Sequence, residues 1–331
     1  MRNLYLLINI IIAVGALTAC GPGKDRVRLQ GKLDNITNAE FYVFSEDGTF
    51  DGVDTIRIED GEFVYERKIS APAVLTLLYP NYTQTYLIAE PGKVIKMKGD
   101  ASKIGEAEVT GTEENELLTD FKLANLSGPE SNHRLAAAQF IRQNAGTLAA
   151  VAVYRRYFTS QKTPDPDLAL QLLDVLKKAQ PTAQAVAYLD NFYRPIFKNG
   201  VGRTVPDFKG VTLDNRTVSA ADYKGKPLLI VCVATWQNES AAFMKQLRKK
   251  LKAARKPWQC VVVSMDVDRE MLRKTLKRDS LEYPVICDRK AFESPLVQQL
   301  GLHYVPSCMV IDAQGKIVQR DVMKVEEIKL D

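Results

Sequence analysis

The chain has 331 residues, of which 46% are hydrophobic and 26% charged, a composition typical of folded globular proteins. This length predicts two or three domains. The 45 basic and 40 acidic residues leave a formal net charge of +5 and are mixed along the sequence, so no nucleic-acid partner is indicated. Because no segment after the first twenty residues is apolar enough to cross a bilayer, we expect a soluble mature protein apart from any anchor.

Residues 1–19 have the pattern of a secretory signal peptide: Arg2 is followed by a largely apolar segment and then by small residues. Leu17-Thr18-Ala19-Cys20 resembles the lipobox of bacterial lipoproteins, in which the signal is removed before the cysteine and lipid chains are attached to it. The resemblance implies lipidation of Cys20, a tether over 20–25 and the membrane as a partner. We also expect a location in the bacterial cell envelope, on the outer membrane facing the periplasm, with the inner membrane left open as the alternative. A signal peptide with a chance cysteine is the alternative.

Short strands are predicted over residues 26–111. Val27, Leu29 and Leu33 alternate with polar residues, and runs rich in β-branched and aromatic residues recur at short intervals. Residues 56–58 and 63–65 flank a polar turn and are typical of a hairpin. About seven such strands predict an antiparallel β sandwich or barrel.

Helical periodicity replaces this pattern over residues 112–198. Apolar residues spaced for one helix face predict helices near 117–126, 135–141, 148–158, 168–176 and 183–197. This segment contains no catalytic pattern, and His133 is interpreted as a surface residue in a polar turn. We predict an α-helical connecting module, followed by a glycine-containing linker over 199–204.

Strands and helices alternate in the last segment, residues 205–331. Buried strands are predicted at 228–233 and 260–265, helices at 239–254 and 269–277, and a hairpin from 307–311 and 316–320. A parallel βαβ unit followed by a hairpin predicts an α/β fold. The first helix carries a basic run, interpreted as a solvated face, which consists of Arg248, Lys249, Lys250, Lys252, Arg255 and Lys256.

Several ordered motifs in this last segment resemble the TlpA/ResA branch of thioredoxin-like proteins. They are Pro206-Asp207-Phe208, Ala234-Thr235-Trp236, Tyr304-Val305-Pro306-Ser307 and the hairpin Ile311-Asp312-Ala313-Gln314-Gly315-Lys316. The resemblance implies a thioredoxin-like fold with a cis peptide bond before Pro306. In pattern and context, segment 26–111 resembles the small β domain of unknown function that precedes such domains in Bacteroidetes lipoproteins.

In that branch a Cys-x-x-Cys motif follows the tryptophan at the start of a helix, where the helix N-terminus favours a thiolate. Here the positions read Trp236-Gln237-Asn238-Glu239-Ser240, so Gln237 replaces the nucleophile and Ser240 the resolving cysteine. Neither an amide nor a hydroxyl can take part in thiol–disulfide exchange. The departure predicts a retained fold without the usual dithiol chemistry, and we identify no catalytic residue, cofactor or metal site.

Four other cysteines remain as thiol candidates. Cys232, Cys260 and Cys308 lie in apolar strands and are interpreted as core residues. A disulfide between Cys232 and Cys308 on adjacent strands is the alternative in an exported protein. Cys287 is expected to be partly exposed, and His303 either borders the groove beside Pro306 or is an ordinary loop residue. Peroxidase chemistry is not indicated, because no cysteine begins the helix after Thr235.

The resemblance also implies a peptide-binding groove made of Trp236, Gln237, Asn238, Val305 and Pro306. The leading hypothesis is therefore a membrane-anchored protein whose redox-inactive thioredoxin-like domain binds a peptide or protein by strand-like pairing. The first alternative is a thiol–disulfide oxidoreductase that uses cysteines outside the motif. The second is a protein whose N-terminal β domain carries the interaction.

Overall fold

A computed structural model of the protein describes residues 21–49, 51–159, 165–278 and 283–330. The predicted signal peptide and Cys20 lie outside the described residues. Contacts divide the chain into two compact units, one that ends at Leu189 and one that begins at Asp190. Most of the segment predicted as an α-helical connecting module groups with the N-terminal unit by these contacts. None of the helices described here combines the length and the apolar character that a membrane span needs.

The N-terminal unit contains an eight-stranded sheet in the order β6-β5-β2-β3-β4-β1-β7-β8. Each strand that the sequence predicts is present. The strands are β1 Arg26–Asp34, β2 Asn38–Ser45, β3 Val53–Glu59, β4 Glu62–Lys68, β5 Ala73–Leu78, β6 Gln84–Ala89, β7 Val94–Asp100 and β8 Glu108–Thr110. A 3-10 helix, Ala101–Glu106, connects β7 to β8.

The sequence predicts an antiparallel sheet, but the observed sheet contains one parallel pair of strands. β1 pairs with β7 in parallel, with Leu29 opposite Ile95, whereas the other pairs of this sheet are antiparallel. Strand direction alternates along the chain, so two odd-numbered strands that become neighbours must run the same way. The alternating apolar residues of these strands form one core on one face of a single sheet, which is closer to the predicted barrel than to a sandwich.

Helices follow the sheet in the chain. They are α1 Glu113–Ala124, α2 Glu130–Gln143, α3 Leu148–Tyr154, α4 Pro166–Ala179 and α5 Gln184–Lys198, with a π-helix Arg155–Thr159 directly after α3. These five helices correspond to the predicted ones. α1 contacts β6 and β8, and the fully buried α3 contacts β5 and β6. The boundary between the two units falls inside α5.

Side chains of α1 pair with the backbone of both edge strands. Asn115 accepts a hydrogen bond from the Ile88 N–H of β6 at 2.8 Å and donates one to the Ile88 carbonyl at 2.7 Å. One turn later, the Thr119 hydroxyl accepts from the Val109 N–H of β8 at 3.1 Å and donates to the Val109 carbonyl at 2.8 Å. Because residues i and i+4 share a helix face, one helix bridges both edges, and the sheet is curled nearly into a barrel.

The C-terminal unit contains a five-stranded sheet in the order β13-β12-β11-β14-β15, preceded by the small hairpin β9–β10. Its strands are β9 Lys209–Val211, β10 Thr217–Ser219, β11 Leu228–Val233, β12 Gln259–Ser264, β13 Val285–Ile286, β14 Ser307–Ile311 and β15 Ile317–Val322. Its further helices are α6 Asn238–Ala253, α7 Arg269–Arg278 and α8 Pro295–Leu300. β11 is parallel to β12 and antiparallel to β14, as the sequence predicts, and two apolar cores cover the two faces of the sheet.

The segment predicted as a linker, 199–204, is part of the C-terminal unit. The Arg320 guanidinium donates to the Ile196 carbonyl at 2.7 Å and to the Asn199 carbonyl at 2.9 Å. The N–H of Gly202 bonds to the Ile317 carbonyl at 2.8 Å. Hydrogen bonds to β15 hold this segment in place.

We predict that Asn115→Leu destabilises the N-terminal unit by about 2 to 4 kcal/mol, because the buried N–H and carbonyl of Ile88 lose their partner. Asn132→Ala, which changes an exposed asparagine of α2, is the control. Hydrogen exchange followed by mass spectrometry should show faster exchange of the peptide that contains β6 in Asn115→Leu alone. Equal exchange of β6 in the two variants would contradict the bridging role of α1.

Candidate functional site

The loop between β11 and α6 is held by the buried carboxylate of Asp266. This carboxylate accepts hydrogen bonds from the Thr235 N–H at 3.0 Å, from the Thr235 hydroxyl and, at 2.6 Å, from the Ser264 hydroxyl. Asp266 is absent from the sequence-based predictions of site residues. Its position two residues after the buried strand β12, in a Ser-x-Asp sequence, was the available signal.

Gln237 and Val305, two of the predicted groove residues, are joined directly. The Gln237 side-chain amide donates a hydrogen bond from Nε2 to the Val305 carbonyl oxygen at 3.2 Å. The Val305–Pro306 peptide bond is cis, as the sequence predicts. Trp236 exposes 57% of its surface, and Asn238 is exposed at the first position of α6.

Ser240, at the position of the resolving cysteine, is buried and has a structural partner. Its hydroxyl oxygen accepts a hydrogen bond from the Ala234 N–H at 3.2 Å. The side chains of Gln237 and Ser240 thus both bond to backbone groups, Gln237 beside Pro306 and Ser240 in the loop before α6. They stabilise the loop and offer no redox couple.

The proposed disulfide between Cys232 and Cys308 is wrong. The ladder of β11 and β14 places Val231 opposite Cys308 and Cys232 opposite Ser307. Because side chains alternate between the faces of a sheet, a shift of one residue puts the two thiols on opposite faces. Cys232 accordingly packs in one core and Cys308 in the other, and both are free thiols.

The expectation that Cys287 is partly exposed is also wrong, since only 3% of its surface is accessible. Cys287 is the residue directly after β13 and packs in one of the two cores. Its Sγ donates a hydrogen bond to the Asp266 carbonyl at 3.1 Å. Burial raises the pKa of Cys287, raises the pKa of Cys232 to about 12 and also raises those of Cys260 and Cys308. The thiolate is the reactive form, so burial suppresses the reactivity of all four thiols.

His303 packs against an aromatic side chain of α5. Its ring stacks on Phe192 with the centroids 4.0 Å apart and the planes at 25°. Its Nε2 atom is buried and has no hydrogen-bond partner among the described residues. Burial lowers the pKa of His303, the positive charge of Arg320 lowers it further, and Asp321 acts in the opposite direction. These contacts give His303 a packing role against α5.

Within the described ranges, no group of three or more His, Cys, Asp or Glu side chains is arranged to hold a metal ion. The side chains at the two motif positions, Gln237 and Ser240, are neutral and hydrogen-bonded. Trp236 provides exposed apolar area, and the residues beside Pro306 provide backbone groups.

Two family models match separate parts of the chain. Residues 201–320 match the AhpC/TSA family, and residues 27–118 match a domain of unknown function, DUF4369. The first match covers the five-stranded sheet, and the second covers the strands of the N-terminal unit together with the start of α1. The C-terminal unit is a thioredoxin-like domain.

Several thiol–disulfide oxidoreductases are similar to this C-terminal part. ResA of Bacillus thuringiensis subsp. konkukian is 24% identical over 125 residues, which are 37% of this chain and 69% of that protein. ResA of Geobacillus thermodenitrificans is 25% identical over 142 residues, covering 42% of this chain and 80% of that protein. A solved thiol–disulfide oxidoreductase from Bacteroides fragilis is 27% identical, with 36% of this chain and 90% of that chain covered and a TM-score of 0.33.

The predicted resemblance to the ResA type is thus supported for the C-terminal domain. The names of these relatives favour the oxidoreductase alternative over a redox-inactive protein. The residues at the start of α6 differ from the Cys-x-x-Cys pattern that the sequence analysis described for this branch, and the two lines of evidence therefore point to different activities.

We predict that the C-terminal unit loses stability as the pH falls through 6.5, the usual pKa of histidine. Because the pKa of His303 is lowered in the folded state, the unfolded chain binds a proton first, and the loss ends only below the folded pKa. Both tryptophans, Trp236 and Trp258, lie in this unit, so urea unfolding followed by tryptophan fluorescence reports on it alone.

His303→Phe should flatten this pH dependence relative to the wild type, because it keeps the stacked ring and removes the titrating group. His133→Gln, which retains His303, serves as the control and should keep the wild-type slope. An unchanged slope in His303→Phe would refute the assignment.

Proposed function

We propose that the C-terminal domain is a thioredoxin-like binding module that recognises an extended peptide segment and does not carry out dithiol exchange. The observation that carries this proposal is the hydrogen bond from the Gln237 amide to the Val305 carbonyl. In the TlpA/ResA branch the position of Gln237 holds the nucleophilic cysteine. Here it holds a side chain that pairs with the backbone next to Pro306.

The groove keeps the features that bind a peptide. An extended segment binds through main-chain hydrogen bonds, and neighbouring pockets or apolar side chains add specificity. The Val305 carbonyl can accept such a hydrogen bond once it is released by the Gln237 amide, which is a neutral group and a weak competitor. Trp236 and Tyr304 are exposed and supply apolar surface.

The proposed cellular location rests on the sequence alone. The resemblance of residues 17–20 to a lipobox supports attachment at Cys20 to the cell-envelope membrane, with the outer membrane facing the periplasm as the specific site. A lipid anchor would keep the binding module close to envelope proteins, which are the proposed partners.

A second candidate function is thiol–disulfide oxidoreduction, which the names of the similar proteins favour. Cys287 is the thiol connected to the loop at the start of α6, since its Sγ bonds to the Asp266 carbonyl while the Asp266 carboxylate holds Thr235. Activity by this route requires an opening that exposes Cys287 and lowers its pKa, because the thiol is buried in the described state.

Peptide binding is tested with the full chain against a phage-displayed library of unstructured decapeptides. We expect Trp236→Ala to lower the affinity for the selected peptides by about tenfold or more. Such a loss is typical of an aromatic side chain that becomes buried when the partner binds. Gln237→Ala should raise the affinity for these peptides by about threefold, because it removes the side chain that competes for the Val305 carbonyl. Tyr42→Ala alters an exposed tyrosine of β2 and is the control. Selected peptides that are insensitive to Trp236→Ala would contradict the proposal.

Redox activity is tested by reduction of insulin with dithiothreitol as the electron donor. The wild-type chain should not exceed the free-thiol rate, whereas Gln237→Cys combined with Ser240→Cys should form a disulfide and accelerate the reaction. The helix N-terminus favours the thiolate of the first introduced cysteine. Wild-type turnover that is abolished by Cys287→Ser would instead support the second candidate function.

A further inference from the structure

A cavity of about 770 Å³ lies within the N-terminal unit. Its walls come from the β5–β6 turn, the 3-10 helix Ala101–Glu106, α1, the start of α2 and the π-helix. This volume falls within the range of small-molecule binding sites. The cavity is remote in sequence from the residues of the peptide groove, and none of the chemistry considered above uses it.

Aromatic side chains form the apolar part of the lining. The rings of Phe121 and Tyr157 meet edge to face, with centroids 5.9 Å apart and planes at 88°. Tyr86 of β6 and Leu118 of α1 extend this surface. Aromatic walls of this kind bind flat apolar bodies through stacking and edge contacts.

The charged part of the lining is predominantly positive. Lys103, Lys122 and Arg156 face the cavity together with a single carboxylate, that of Glu106. The Lys122 ammonium donates to the Ala107 carbonyl, while Lys103 and Arg156 belong to no ion pair among the described residues. Cations concentrated in a concave site attract an anion, and low-dielectric walls strengthen that attraction.

The π-helix fixes two of these residues. π-Helices are rare and occur frequently at functional sites. Arg155, at the start of this one, is fully buried and forms an ion pair with the buried Asp47, with Nη2 and Oδ2 3.6 Å apart. Its guanidinium also lies over the Tyr188 ring at 5.7 Å. These contacts anchor the segment from inside, so the next two residues, Arg156 and Tyr157, are presented to the cavity.

We propose that this cavity binds a small organic anion with a flat, apolar body. The acidic group of the ligand pairs with Arg156 and Lys103, and its body lies against Phe121 and Tyr157. Charge-assisted hydrogen bonds to arginine are the stronger and more directional part of such recognition. The N-terminal unit is thereby assigned a ligand site of its own, independent of the groove beside Pro306.

The test uses the full chain and two fluorescent probes that share one ring system, anilinonaphthalene sulfonate and the uncharged phenylnaphthylamine. We expect the sulfonate to saturate one site per chain and to bind more tightly than the uncharged probe. Arg156→Gln should lower the affinity for the sulfonate about tenfold and the affinity for the uncharged probe less than about twofold. Only the sulfonate forms the charge-assisted hydrogen bond. Tyr157→Leu should lower the affinity for both probes about fivefold, because both lose the aromatic ring against which they pack.

Arg142→Gln is the matched control, since Arg142 is an exposed arginine of α2 outside the cavity lining. Arg156 is itself exposed, and circular dichroism of each variant verifies that the fold is unchanged. Equal affinity for the two probes, no saturable binding of the sulfonate, or equal effects of Arg142→Gln and Arg156→Gln would each overturn the proposal.

Discussion

Both units depend on one constraint, namely that buried backbone N–H and carbonyl groups need hydrogen-bond partners. Where a strand edge or a helix end lacks a backbone partner, a side chain supplies the missing hydrogen bond. Asn115 and Thr119 pair with the two edges of the N-terminal sheet, and Arg320 pairs with three carbonyls, those of residues 196, 199 and 301, in the C-terminal unit. The shape of the sheet and the fixed path of the segment before β9 both follow from these side-chain to backbone bonds.

The same constraint explains how the thioredoxin-like fold persists without the two cysteines. The loop before α6 still needs partners for its backbone N–H groups, and Asp266 and Ser240 accept those bonds. The Gln237 side chain joins this loop to the Val305 carbonyl. A cysteine at either motif position is a weaker hydrogen-bonding group than an amide or a hydroxyl. At both motif positions the side chain present is therefore one that pairs with the backbone.

The two units present different chemistry to their surroundings. The groove beside Pro306 combines an exposed tryptophan with backbone groups, which suits a peptide, whereas the cavity near Tyr157 combines aromatic rings with cations, which suits a small anion. The match to the AhpC/TSA family lies in the C-terminal unit, at residues 201–320. The N-terminal unit therefore needs an explanation of its own, and the cavity provides one that can be tested separately.

The sequence by itself determined the strands, the helices and the replaced motif, because hydrophobic periodicity is local and Gln237 and Ser240 lie within one contiguous pattern. Tertiary structure alone decided the facing of Cys232 and Cys308, since a shift of one residue in strand register reverses a side chain. It also decided the burial of Cys287 and the parallel pairing of β1 with β7. The cavity is assembled from residues between 81 and 157, and only the packing of separate elements brings such distant residues together.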